Sequence, residues 1–141
     1  MIYVDTSVLV ALMVNESKSA AVSRWYGACT DEMVSAIWCV TEFASALGIK
    51  QRTGQIDSDE ARAAWLRFER LCANDIKLLT IEPATFHRGA VLMLDAATGL
   101  PAGDSLHLAA ALDAKAKQMA TLDEVLANNA KRLKLKTVRF S

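Results

Sequence analysis

At 141 residues, with 52% apolar and 23% charged side chains, the chain can bury one core without disulfides or a structural metal, and its composition excludes disorder. Its 16 basic residues balance 16 acidic ones, which excludes a global positive field and confines any basic surface to a local patch. Cys29, Cys39 and Cys72 are odd in number and lack C-x-x-C spacing, so neither a zinc centre nor a disulfide framework is expected, and a reducing compartment fits.

Read from the start, Ile2 to Val4 forms a short strand signal that runs into Asp5. The segment has no basic n-region, and no later run reaches the roughly 18 apolar residues of a membrane span, so a cytoplasmic location is expected. Helical patterns follow at Ser7 to Val14 and Lys18 to Ala28, then a strand at Met33 to Ala36 and helices at Trp38 to Arg52 and Ser58 to Ala73. A strand is expected at Lys77 to Ile81, a helix at Ala84 to Thr98, and another at Ser105 to Lys117. The chain finishes with a strand at Gln118 to Leu122, a helix at Glu124 to Leu133 and a strand at Thr137 to Phe140. Gly54 and the Gly99, Pro101 pair supply helix stops.

No linker, repeat or low-complexity segment divides this pattern, so residues 1 to 141 are expected to form a single domain. Alternating strands and helices predict an α/β fold, a parallel sheet covered by helices on both faces. In such a sheet ligands gather beyond the carboxyl ends of the strands. Asp5 follows the first strand and Asp123 the fourth, with Thr121 two residues earlier.

Asp5, Asp104 and Asp123 each open a helical pattern, where an aspartate commonly caps the helix by accepting from free backbone N–H groups. A cap needs one acceptor oxygen, and Ser, Thr or Asn would serve as well, so three aspartates leave a preference for charge unexplained. Glu42 is more informative. Its helical neighbours Trp38, Cys39, Ala46 and Ile49 are apolar, and so is the opposite stripe of Ile37, Val40, Phe43, Ala44 and Leu47, which predicts a largely buried helix. A carboxylate there is costly unless paired with a cation, and no Lys or Arg stands at helical spacing. Four carboxylates at one sheet edge would repel one another, and a hard divalent ion with oxygen preference, Mg²⁺ or Mn²⁺, would relieve that repulsion. Metal-assisted phosphodiester hydrolysis is the chemistry that follows.

Asp5-Thr6-Ser7 after the first strand, Val40-Thr41-Glu42-Phe43, the run Gly103-Asp104-Ser105-Leu106-His107-Leu108-Ala109 and Ala120-Thr121-Leu122-Asp123, taken in order, resemble PIN-domain ribonucleases and especially VapC toxins of type II toxin-antitoxin systems. The resemblance spans essentially the whole chain, and Gly99-Leu100-Pro101 before Asp104 also looks like the family. It implies a three-layer α/β/α fold with strand order 3-2-1-4-5 and a Mg²⁺- or Mn²⁺-dependent endoribonuclease acting on structured RNA such as tRNA or rRNA loops, so inhibiting translation. By position, Asp5, Glu42, Asp104 and Asp123 match the family's metal-binding acids. Thr6, Ser7 and Thr121 would orient those carboxylates or their waters by hydroxyl bonds. A VapB-like antitoxin partner and a toxin homodimer are implied as well. The Ala102-Gly103 pair departs from the pattern, since many relatives carry a larger or basic residue there.

His107, set among Leu106, Leu108 and Ala109, reads as a packed or hydrogen-bonded core histidine, because the other candidate ligands are all oxygens. His87 receives no role, and Trp25, Trp38 and Trp65 read as core or interface residues. Leu66, Met93 and Leu94 are candidates for an antitoxin or dimer groove. The last part of the chain is basic, with Lys115, Lys117, Lys131, Arg132, Lys134, Lys136 and Arg139 against Asp123 and Glu124, a possible phosphate contact or a solvated face. Two rivals stand beside the nuclease reading. One is a phosphatase with an aspartate nucleophile, which would want a second acid where Ser7 stands; the other is a PIN scaffold kept for protein or RNA binding without cleavage.

Overall fold

The computed structural model describes residues 1–141. Five short strands form one sheet: β1 (Ile2–Val4), β2 (Met33–Ala36), β3 (Ile76–Leu79), β4 (Gln118–Ala120) and β5 (Lys136–Thr137), in the order β3-β2-β1-β4-β5. Every pairing is parallel. The order implied by the family resemblance is therefore the one observed. Three strand signals ran longer than the strands: the third starts one residue earlier, at Ile76, and the fourth stops at Ala120. The last is displaced to Lys136–Thr137, leaving Val138 to Phe140 outside the ladder.

Seven helices flank the sheet: α1 (Thr6–Met13), α2 (Ser19–Ala28), α3 (Trp38–Arg52), α4 (Ser58–Asn74), α5 (Pro83–Leu94), α6 (Ala102–Asp113) and α7 (Glu124–Arg132). Side chains alternate across a strand, and β1 shows it plainly. Ile2 and Val4 enter a core shared with α1 to α4, while the fully buried Tyr3 enters the opposite core with Leu108, Ala111, Leu126 and Ala130 of α6 and α7. The first core is built around stacked Phe43 and Phe68, ring centroids 4.1 Å apart, with Trp65 tilted against both. Trp25 instead meets Phe140 edge-on.

Three helix boundaries correct the sequence reading; α6 ends at Asp113 rather than Lys117, and the other two bear on the site. The single helix expected over Ala84 to Thr98 ends at Leu94, because Asp95 turns the chain and its carboxylate caps a 3-10 turn, Ala96–Thr98. Gly99 closes that turn at φ 65°, a left-handed conformation that glycine adopts without a Cβ clash. The next helix begins at Ala102 rather than Ser105, so Asp104 lies inside the first turn and Pro101, not Asp104, is at the cap.

Helix α6 packs closely on α5. A Cβ at Gly89 would stand 3.5 Å from the Ser105 carbonyl oxygen, and the Ser105 hydroxyl donates to the Gly89 carbonyl at 2.6 Å. This contact fixes the helix that carries Asp104 and His107. No helix is long and apolar enough to cross a membrane.

Candidate active site

Asp5 leaves the carboxyl end of β1 and caps α1. It is only 3% exposed, and its oxygens are divided between two elements. Oδ1 accepts from the Ser7 hydroxyl at 2.6 Å and from the Ser7 and Val8 backbone N–H groups, while Oδ2 accepts from the Thr121 hydroxyl at 2.8 Å. Thr121 in turn accepts from the Asp123 N–H, and Ser7 from the Leu122 N–H. The ends of β1 and β4 are thus laced together around one carboxylate. Burial raises the Asp5 pKa above the usual carboxylate value, against the opposing influence of His107, Ser7 and Thr121.

Asp123 caps α7 through the Leu126 N–H at 2.8 Å. Asp104, in the first turn of α6, lies where the helix dipole favours an anion. Even so its pKa is pushed up to about 6, first by burial and then by the negative charges of Asp123 and Asp5, with Glu42 adding and His107 opposing. Asp123, Asp5 and Glu42 therefore all lie within electrostatic reach of Asp104.

Glu42 lies on α3, a helix less buried than its sequence implied. Cys39, Phe43 and Leu47 face the core, whereas Ile37, Trp38 and Ile49 are exposed. The Glu42 side chain is half-buried and is not unpaired: Oε1 accepts from the Thr6 hydroxyl at 2.6 Å and from His107 Nε2. Burial alone would raise the Glu42 pKa, but His107, Thr6 and Trp38 outweigh it and hold it below the usual value. The partner sought among neighbouring lysines and arginines is instead a histidine nitrogen from another helix.

His107 is buried and hydrogen-bonded, as its apolar neighbours predicted, yet the partner is one of the four acids. That link was missed because Glu42 and His107 are far apart in the chain. The available signal was that His107 stands one helical turn after Asp104 and shares its face. Gly103, noted in the sequence only as a departure from the family pattern, also bears on Glu42. A Cβ there would stand 2.8 Å from Glu42 Oε2 and 3.4 Å from the Trp38 indole nitrogen, so the small residue makes room for the carboxylate. Trp38, read as core or interface, lies half-exposed beside Glu42.

A cleft of about 690 Å³ opens here between α1 and α3, lined by Thr6, Ser7, Trp38, Glu42, Lys50 and Asp123 among others. A slightly larger one, about 740 Å³, opens at the opposite end of the sheet beside Cys29, Asp31, Cys72 and Asp75. It contains none of the four acids, so size does not locate the chemistry. The donor set of Asp5, Glu42, Asp104 and Asp123 fits a hard divalent cation in ligand type, and the raised Asp104 pKa reflects burial first and then the repulsion of Asp123 and Asp5, both of which such a charge would offset. As the side chains stand, no three acids, histidines or cysteines are close enough to hold one ion. The fit therefore lies in donor chemistry and charge, without a closed shell.

A family model for the PIN domain matches residues 2–132. Among solved structures, the chain superposes on VapC20 of Mycobacterium tuberculosis, described as a Sarcin-Ricin loop cleaving toxin, with TM-score 0.74 and 14% identity over 92% of this chain and 95% of that one. It superposes on FitAcB from Neisseria gonorrhoeae with TM-score 0.72 and 17% identity over 99% and 97% of the two chains. A third is VapBC2 from Rickettsia felis, bound to a DNA fragment from their promoter, with TM-score 0.65 and 11% identity over the whole of both chains. No curated protein sequence matches. At these identities the superpositions speak to the fold, while the sequence match covers most of the chain, which belongs to the PIN domain family.

Proposed function

We propose that this PIN domain, residues 1–141, is the toxin of a VapBC-type pair, a Mg²⁺- or Mn²⁺-dependent endoribonuclease that hydrolyses phosphodiester bonds in RNA and thereby inhibits translation. The observation that carries this reading is the gathering of Asp5, Asp123 and Glu42 around Asp104, at the starts of α1, α7 and α6 and on α3, close enough that their charges act on its carboxyl. Burying and crowding carboxylates costs stability, and acids perturbed in this way are concentrated at functional sites; two of the four, Glu42 and Asp123, line the cleft between α1 and α3.

Asp5, Glu42, Asp104 and Asp123 would hold the ion. Bound there, it would lower the pKa of an attacking water and stabilise the departing oxygen. The protein's own part is orientation. Ser7 and Thr121 hold the two oxygens of Asp5, and Thr6 holds Oε1 of Glu42. Outer partners of this kind fix the direction of a ligand's lone pairs.

The partners proposed are RNA, a VapB-like antitoxin and a second copy of the chain. The toxin reading is supported by the description of the Mycobacterium tuberculosis neighbour, and the antitoxin by the VapBC2 designation of the Rickettsia felis neighbour. The second copy is supported by α5, where Phe86, Val91 and Leu94 are all more than half exposed, an apolar surface of the kind that oligomers cover. A cytoplasmic location goes with this reading. Cleavage of RNA that requires both divalent metal and Asp5 tests it.

A further inference from the structure

We infer that His107 is a positioning residue for Glu42, and that Tyr3 fixes the histidine tautomer this requires. Three buried groups form a continuous chain. The Ala36 backbone N–H donates to Tyr3 Oη at 3.1 Å, Tyr3 Oη lies 2.7 Å from His107 Nδ1, and His107 Nε2 meets Glu42 Oε1. Tyr3 is 0% exposed and His107 1%, so water is not available as a substitute partner.

The donors follow from chemistry. A backbone N–H can only donate, so the Tyr3 oxygen accepts from Ala36. A phenol carries its proton at neutral pH, and here that proton is directed at the nearest acceptor, Nδ1, 2.7 Å away. The imidazole proton is then on Nε2, where it donates to Glu42. The other end agrees on Nε2, since a carboxylate oxygen in contact with it accepts a proton rather than supplying one. Thr6 Oγ1, 3.2 Å from Nε2, also donates to Oε1 at 2.6 Å.

Two donors from α1 and α6 therefore pin Oε1, while Oε2 lies on the Gly103 side. A glutamate has three rotatable bonds, and fixing one oxygen from two directions removes most of that freedom. Tyr3 and His107 would otherwise be ordinary core residues, yet they transmit the rigidity of the central strand to an acid on α3. Buried hydrogen bonds in series also polarise one another, which strengthens the donor at Nε2.

This inference rests on the reading of Glu42 as a metal ligand, and the test separates the two. Mn²⁺ titrations of the full chain by calorimetry compare the wild type with His107→Ala, His107→Gln and Leu108→Ala. Losing the positioning donor is expected to weaken Mn²⁺ binding about 10- to 100-fold. His107→Gln, whose amide can still donate to Glu42, recovers most of that loss. Leu108→Ala, buried on the same helix, lowers the melting temperature but leaves the affinity within about twofold. Nitrogen-15 spectra of the metal-free protein show one tautomer, Nδ1 bare and Nε2 protonated, and Tyr3→Phe, which removes the donor to Nδ1 and leaves the Glu42 acceptor, shifts the Nδ1 resonance and weakens that preference. Equal Mn²⁺ affinity in wild type and His107→Ala overturns the inference, as does a proton on Nδ1. A wild type that binds no Mn²⁺ removes the metal reading itself, and that failure is visible in the first titration.

Discussion

Glu42 Oε2 lies 2.8 Å from the point that a Cβ at Gly103 would occupy. The neighbour at risk is the end of a side chain rather than backbone, so Gly103→Ala can be accommodated if Glu42 moves. Alanine in a helix is favoured over glycine by about 0.5–1 kcal/mol, which offsets part of the strain. Thr6 and His107 hold the other oxygen in place, so the displacement falls on Oε2. The expected outcome is an unchanged or slightly higher melting temperature together with roughly tenfold weaker Mn²⁺ binding and cleavage. Calorimetry and a cleavage assay on the same preparation check this, and intact activity would show that the space at Gly103 is not needed.

The raised pKa of Asp104 has a sign that can be measured. Its folded value, about 6, exceeds the ordinary carboxyl value of 3.8 expected when unfolded. The folded protein therefore binds more protons between these values, and the stability contributed by this group is present at low pH and lost as pH rises through 6. Asp5, also raised, acts in the same direction. The metal-free protein should melt at a higher temperature at pH 5 than at pH 7, and Asp104→Asn should raise the melting temperature at pH 7 and flatten the difference. Mg²⁺ or Mn²⁺ should stabilise more at pH 7 than at pH 5, since protons and metal compete for the same carboxylates. Thermal melts across this range, with and without metal, decide it.

The basic tail resolves into two surfaces. Arg132 turns toward Asp95, 3.9 Å away, whereas Lys131, Lys134, Lys136 and Arg139 line an open cleft of about 600 Å³ between α7 and β5 that no acidic residue enters. If this cleft contacts RNA phosphates, Lys131→Gln with Lys134→Gln should reduce the slope of log affinity against log salt by about 0.7 per lost single-strand contact. Binding is measured with Asp5→Asn present, so that substrate survives. A weaker affinity with the slope unchanged would assign the lysines to something other than phosphate contact.

Much of this architecture could be read directly from the residues. The runs at Ile2 to Val4 and Met33 to Ala36 coincide with strands because both are buried on two faces and read as apolar except at Ser35. The order of the five strands came from family resemblance, since local pattern fixes elements and not their neighbours. Asp5 and Asp123 are at strand ends and helix caps as their positions foretold. Asp104 is not a cap, because Pro101 starts the helix earlier than an aspartate-first reading allows. The cluster around Glu42 was the least legible part. Hydrophobic spacing exposed an acid in need of a partner, but Thr6, Gly103 and His107 reach it from two other helices, and nothing local to α3 encodes their approach.

Asp5 joins the two strand ends and, in this account, the metal to the protein. Asparagine caps a helix as well as aspartate does, so Asp5→Asn should leave the fold and melting temperature nearly intact while removing one negative charge from the site. The most direct measurement is cleavage of total cellular RNA by purified, antitoxin-free protein with Mg²⁺ or Mn²⁺, repeated with EDTA and with Asp5→Asn. Discrete fragments that appear only with metal and only with Asp5 intact are the predicted result. No cleavage by a folded, metal-loaded wild type, or equal cleavage by Asp5→Asn, would contradict the account.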